Sequence, residues 1–205
     1  MTENSSTKSV RSERQRLVRD RALAGVAGPR SARQWKTDAL QEVFHMADRA
    51  PRLEILQADL YGDFEMIYRI DVPTPCWPDG DQLTIGNFAI FHLVYLDRWR
   101  EEPPPGWGPL GIVAPQSLFH PNARAGLRGE LALCLGSLPA GIPPAEIILL
   151  GYFLVSLQDL TLDERDPNGL LNPFASEYFR CRPNYVPLTR AGLFEDLNAE
   201  EQSYA

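Results

Sequence analysis

His120-Pro121-Asn122, then Leu133-Cys134-Leu135, then the proline-opened apolar run Pro143-Pro144-Ala145-Glu146-Ile147-Ile148-Leu149-Leu150 decide the reading of this chain. Proline fixes its own backbone and biases the residue before it toward extended conformations. The triplet is therefore a rigid corner whose side chains point to fixed places. An asparagine held there can donate an amide N–H to a developing oxyanion, and removing such a donor slows a reaction by on the order of 10²–10³. His120 is placed to donate to nearby backbone and hold the corner. Cys134 ends a short apolar run, with Gly136 behind it, at the edge of the fold. An ordinary thiol titrates at about 8.5, so some thiolate is present near neutrality without a strong base. Each signal alone has a plain reading: a surface turn for the triplet and a small buried hydrophobe for the cysteine. The triplet, the downstream cysteine, the Pro143-Pro144 helix start and a second start at Asn172-Pro173 together favour thiol acyl transfer.

The flanking sequence supplies a scaffold. Ser31 is the expected N-cap of a helix running to Arg49, stopped by Pro51. Trp35, Ala39, Val43, Phe44 and Ala47 recur at helical spacing and are expected to face a core, with Arg33, Lys36 and Glu42 toward water. Residues 53–57 form a weak strand candidate. Phe64, Met66, Tyr68, Ile70 and Val72 alternate with polar neighbours, as in a half-buried strand, after a Tyr61-Gly62-Asp63 turn. Residues 73–86 read as a loop containing Cys76, and residues 87–96 as a central strand apolar on both faces. The prolines at 103–105 must leave the sheet, since proline cannot donate to a ladder. Residues 110–114 give a fourth strand. After Cys134, Pro143-Pro144 opens a buried helix with Glu146 in its first turn. Asn172-Pro173 opens a short helix through Tyr178. Helix, antiparallel meander, then helices is an α+β domain.

The composition bounds the rest. The 205 residues suit one domain with tails, expected as a flexible basic arm (1–30) with room for a short helix at 11–23, the domain (31–190) and an acidic tail (191–205). Net charge is −7 overall, yet residues 1–36 carry nine Lys/Arg against three Asp/Glu. A basic arm on an acidic body suits an acidic protein or a nucleic acid, and equally a tail with no partner. No apolar run approaches the ~20 residues a membrane span needs. The start lacks the apolar region of a secretory signal, so a cytoplasmic location is expected. Cys76, Cys134 and Cys181 are too dispersed for a disulfide framework or a CxxC metal site, and with three histidines no metal is expected. Cys181, between Arg180 and Arg182, would have its thiolate favoured. Lysine is nearly absent: Lys8 and Lys36 are the only two. A lysine-poor surface limits self-attack on a bound thioester, although an arginine-favouring base composition gives the same count. Any self-modification should map to the N-terminal region.

The order of features across residues 31–183 resembles the ubiquitin-conjugating enzymes, in which a His-Pro-Asn signature leads to the cysteine that carries a ubiquitin-like protein as a thioester. The resemblance implies a UBC-like fold: an N-terminal helix, a four-stranded antiparallel meander, and a buried central helix plus short helices after the active-site cysteine. It implies Cys134 as the acyl carrier and Asn122 as the oxyanion donor, with His120 supporting the corner. Phe119 and the prolines at 103–105 also fit. It further implies that Asp166 or Asn168, in the loop at 163–168, orients the incoming amine. The plain alternative is a solvated loop. Two departures stand out. Asn122 and Cys134 are 12 positions apart, longer than the usual eukaryotic spacing, so the residues near 123–129 lengthen a loop or displace the asparagine. The tryptophan common after the cysteine is missing. Both suit a divergent bacterial member, similar to components of conjugation operons, some of them linked to anti-phage defence. The implied partners are a ubiquitin-like protein, an activating enzyme docking on the basic segment 11–36, and a deubiquitinase-like protease from the same operon, with no nucleic acid and no membrane. No cofactor is implied, because the activating partner spends the ATP. Two rivals stand beside this reading: a non-catalytic binding module of the same fold, and a Cys–His hydrolase using His45, His92 or His120.

Overall fold

Hydrophobic alternation organises the molecule around one antiparallel sheet. The structure, a computed structural model, describes residues 5–77, 82–106, 108–126, 130–160 and 171–195. Two helices come first, α1 (Ser5–Ala24) and α2 (Arg30–Arg49). The sheet strands are β1 (Leu53–Asp59), β2 (Phe64–Ile70), β5 (Ala89–Tyr95), β6 (Leu110–Ala114), β7 (Ala123–Ala125) and β8 (Leu131–Leu133), in the order β1-β2-β5-β6-β8-β7. β3 (Thr74–Cys76) and β4 (Thr84–Gly86) form a separate hairpin. α3 (Pro144–Val155) and α4 (Pro173–Arg180) follow. The α+β class expected from the sequence is therefore observed.

α2 buries Ala39, Val43, Phe44 and Ala47 at the expected spacing. Trp35 is half-buried, its ring centroid 5.0 Å from Tyr95. Two details differ. The helix starts at Arg30, with Pro29 as its N-cap and no side-chain capping bond, so Ser31 lies inside the first turn. Proline suits the site because its φ is already fixed and it has no N–H to satisfy. Lys36 does not face water. It is 1 % exposed, its Nζ donates to the Gly62 carbonyl, and it lies 3.4 Å from an Asp97 carboxylate oxygen. A helical-face argument puts a charge outside by default; here a carbonyl acceptor and a carboxylate, both from outside the helix, compensate the burial.

β1 and β2 pair across the Tyr61-Gly62-Asp63 turn, and Phe64, Met66, Tyr68, Ile70 and Val72 are all buried. β5 lies between β2 and β6, burying Ala89, Phe91, Leu93 and Tyr95 while Ile90, His92 and Val94 are half-covered. α3 crosses the buried face with Ile147, Ile148, Tyr152 and Val155 in the core. Gly151 lets α3 approach the sheet closely: a Cβ there would stand 2.7 Å from Leu110 Cδ2, so the Leu110 side chain would have to move. The sheet has six strands rather than the four expected. Residues 123–125, read as part of a lengthened loop, and 131–133, read only as a short apolar run before Cys134, add β7 and β8 beyond β6. The loop at 73–86 contains the β3–β4 hairpin, with Cys76 buried at 7 % exposure.

The basic N-terminal segment, expected as a flexible arm with a short helix, forms the 20-residue α1 lying against β1 and α2. Gln15 and Ala22 are buried, and Val18 and Leu23 touch the core. The Arg11 guanidinium donates to the carbonyls of Pro51 and Leu53, and Arg14 pairs with Glu54 at 3.1 Å. At the other end, packing extends past residue 190. Ala191 and Leu193 are buried, Tyr152 Oη donates to the Ala191 carbonyl at 2.5 Å, and Arg52 Nε donates to the Glu195 carbonyl at 3.2 Å. No helix among the described residues is long and apolar enough to cross a membrane.

Candidate functional site

The site is built on the β7–β8 hairpin. Ala123 pairs with Leu133, Arg124 with Ala132 and Ala125 with Leu131. One step further along the same register, Asn122 stands opposite Cys134, and the Cys134 N–H donates to the Asn122 carbonyl at 2.8 Å. Directly opposed residues of an antiparallel pair project to the same side, with Cβ atoms about 4.5–5.5 Å apart. The 12-residue separation therefore leaves the backbones of Asn122 and Cys134 hydrogen-bonded to each other. The intervening chain folds back on itself and returns the cysteine to its partner. By strand alternation, Asn122 and Cys134 fall on the side opposite Ala123 and Leu133, which enter the core. Asn122 is 3 % exposed and Cys134 5 % exposed.

The corner is held from three directions. His120 is fully buried; its Nε2 lies 2.8 Å from the Leu154 carbonyl of α3, and its Nδ1 lies 3.0 Å from the Asn122 backbone N–H. A carbonyl can only accept and an amide N–H can only donate. The partners thus fix the neutral tautomer with the proton on Nε2. Burial pulls the His120 pKa down to about 4, the bond to Leu154 opposing only part of that shift. The Pro121 carbonyl accepts from the N–H groups of Leu171 and Asn172 at 2.9 and 2.8 Å, tying the corner to the start of α4. Asn172 caps that helix, its side-chain oxygen accepting from Ala175 N–H at 3.1 Å. Phe119 N–H donates to the Pro75 carbonyl at 2.8 Å, and its ring packs against Trp77, 4.7 Å between centroids.

Behind the cysteine, Leu135 N–H donates to the Gly106 carbonyl at 2.7 Å. A Cβ on Gly106 would overlap the Gly136 carbonyl oxygen, and Gly136 itself has φ +72°. These two glycines let the proline segment cross the strand carrying Cys134. Sequence reasoning noticed Gly136 and missed Gly106, whose only signal is a glycine closing the proline run. A groove of about 530 Å³ lies nearby, lined among others by Arg124, Glu130 and Ala132 of the hairpin and by His92, Val94 and Pro109.

The structure brings His120, Asn122 and Cys134 together. Asp166 and Asn168 lie outside the described residues. The hydrogen bonds of His120 and His92 run to groups other than Cys134, which weighs against the hydrolase rival. Both nitrogens of His120 are committed to backbone. His92 lies 2.6 Å from a Glu65 carboxylate oxygen and, through Gly111 and Ala132, is two strands away from the hairpin. His45 is exposed on α2. Cys181 is also corrected. Its thiol bonds a Glu177 carboxylate oxygen at 3.4 Å, and that carboxylate raises its pKa against the pull of Arg182 and Arg180. No family model, curated protein or solved structure matches this chain.

Proposed function

We propose that this chain is a ubiquitin-conjugating-enzyme-like acyl carrier. Its reaction accepts the C-terminus of a ubiquitin-like protein as a thioester on Cys134 and hands it to an amine. Asn122 donates its side-chain amide to the oxyanion that forms when the amine attacks. His120 positions that asparagine and exchanges no proton. The partners are the ubiquitin-like protein, an activating enzyme meeting the basic N-terminal region and a deubiquitinase-like protease, in a bacterial, cytoplasmic conjugation pathway of the anti-phage type. The observation that carries the reading is the cross-strand placement of Asn122 against Cys134. The layout of α2, the four consecutive strands and α3 around them supports a UBC-like domain.

A second reading has its own observation. Cys134 is buried, as suits a binding module of the same fold that forms no thioester. A charging assay separates the two. The protein is incubated with the activating enzyme, the ubiquitin-like protein and ATP, and products are run without reductant. The carrier reading expects a reductant-sensitive adduct that is lost in Cys134→Ala and becomes a reductant-resistant ester in Cys134→Ser. No adduct with a competent activating enzyme, or an adduct that survives Cys134→Ala, would leave the binding module in its place.

A further inference from the structure

We propose that the pocket formed by α4 and Trp77 binds a methylated ammonium group, free or carried on a lysine side chain. The inference stands apart from the acyl-carrier reading, because such binding needs no thioester and is read on uncharged protein.

The pocket has a volume of about 540 Å³, and four of the side chains lining it are aromatic: Trp77, Phe174, Tyr178 and Tyr185. The rings stand at steep angles to one another. Phe174 and Tyr178 are each close to perpendicular to Trp77, at 77° and 84°, with centroids 5.5 and 5.4 Å away. Tyr185 lies 6.4 Å from Tyr178, tilted at 46°. Rings set this way present faces in several directions, as a cage for a compact cation requires. The arrangement is fixed from beneath. Buried Phe119 lies 4.7 Å from Trp77 and 5.5 Å from both Phe174 and Tyr178, and the Trp77 backbone N–H donates to the Ser117 carbonyl at 2.7 Å. Above it, Phe174 remains 61 % exposed and Tyr185 38 % exposed. Grouped aromatic surface left open in this way marks a recognition site.

Charge decides the kind of ligand. A ring face is electron-rich, and the protein already uses one of these as a cation position: the Arg182 guanidinium carbon lies 4.1 Å from the centroid of Tyr178. Glu177 adds a carboxylate to the same pocket. That carboxylate is already shared, accepting from the Cys181 thiol at 3.4 Å and pairing with Arg180 at 3.4 Å. A primary ammonium would need acceptors for its three N–H donors and would give up strong hydration to enter. A trimethylammonium group needs no acceptor and gains from the ring faces and the nearby negative charge. Arg182 thus stands in for the ligand's cation and competes with it. Two desolvated ring contacts correspond to a dissociation constant on the order of 1 mM.

The test titrates the uncharged full chain at constant ionic strength with four probes. They are choline, the uncharged alcohol in which carbon replaces its nitrogen, and a short peptide carrying either trimethyl-lysine or unmodified lysine. The indole N–H resonance of Trp77, assigned by its loss in Trp77→Phe, reports occupancy. A methylated ammonium should shift that resonance and saturate near the concentration given above, while the uncharged alcohol binds at least tenfold more weakly. Phe174→Ala should remove the binding, Glu177→Gln should weaken it several-fold, and Arg182→Ala should tighten it about two- to fivefold. All three side chains are exposed, so their replacement keeps the fold, which circular dichroism verifies. Choline binding at least as tightly as the trimethyl-lysine peptide assigns a small-molecule ligand, and a preference for that peptide assigns a modified protein. No response at tenfold higher choline and peptide concentration, equal affinity for choline and the uncharged alcohol, equal affinity for methylated and unmodified lysine, or binding indifferent to Phe174→Ala would each overturn the proposal.

Discussion

A protonated His120 has no acceptor for its second proton, because Nδ1 already faces the N–H of Asn122. The unfolded chain has no such restriction, so between pH 6.5 and about 4 it binds a proton that the folded protein refuses. The stability this histidine supplies is therefore present above pH 6.5 and falls away as pH drops toward 4. A drop from 6.5 to about 4 is worth ~3 kcal/mol. Urea midpoints measured across this range should decline in the wild type, and that share of the slope should be missing in His120→Gln. At Asn122 the expected effect is kinetic. Asn122→Ala should still charge, while discharge to free lysine slows by on the order of 10²–10³ in a single-turnover assay. At this scale the sequence was legible wherever chemistry and local backbone agree, as in the corner itself. Lys36 was not legible, because its acceptor comes from the Gly62 turn and its counter-charge from Asp97, contacts no helical wheel contains.

Among the elements, the β7–β8 hairpin determines whether the site exists. A one-residue slip turns each strand's side chains to the other face. Inserting a single alanine between Ala132 and Leu133 should therefore break the pairing of Asn122 with Cys134 and abolish discharge. Removing the cross-strand pair Ala125 and Leu131 together keeps the register and should preserve it. Both are checked by the lysine discharge assay. The crossing glycines give a second expectation. Gly106→Ala forces a Cβ against Gly136 and should destabilise by at least ~1–3 kcal/mol. Gly62→Ala, where a Cβ meets nothing within 4 Å, serves as the thermal-melt control. The long strands and α3 could be read from alternation and proline placement. The hairpin could not: Ala-Arg-Ala and Leu-Ala-Leu are too short for a period and lack the β-branched residues that mark strands. Its presence follows from β6, whose far side pairs with β8.

Across the whole molecule, the two sides of the sheet carry different tasks. One side holds α1 with its arginines, and the other holds the thiol. The anchoring of α1 depends on Arg11, whose charge-assisted bonds to carbonyls are worth about 1.5–3 kcal/mol each at most. Arg11→Ala should loosen the helix without unfolding the sheet. Limited trypsin digestion should then cut after Arg14, Arg16 and Arg19 several-fold faster while the remainder of the chain stays resistant. The charge asymmetry behind this division was visible in the sequence, but the docking was not, because Arg11 is held by backbone atoms about forty residues away. The burial of Cys134 also makes the thiol a clock. An alkylating reagent consumes it only during openings that uncover the end of β8, so its rate, divided by that of an unstructured thiol, measures how often the native state breathes there. Cys181, exposed on the same molecule, reacts without such an opening and shows that the reagent is active, although Glu177 slows its thiol. A slow, salt-independent loss of charging under mild alkylation would then report local opening of the fold rather than the intrinsic reactivity of the sulfur.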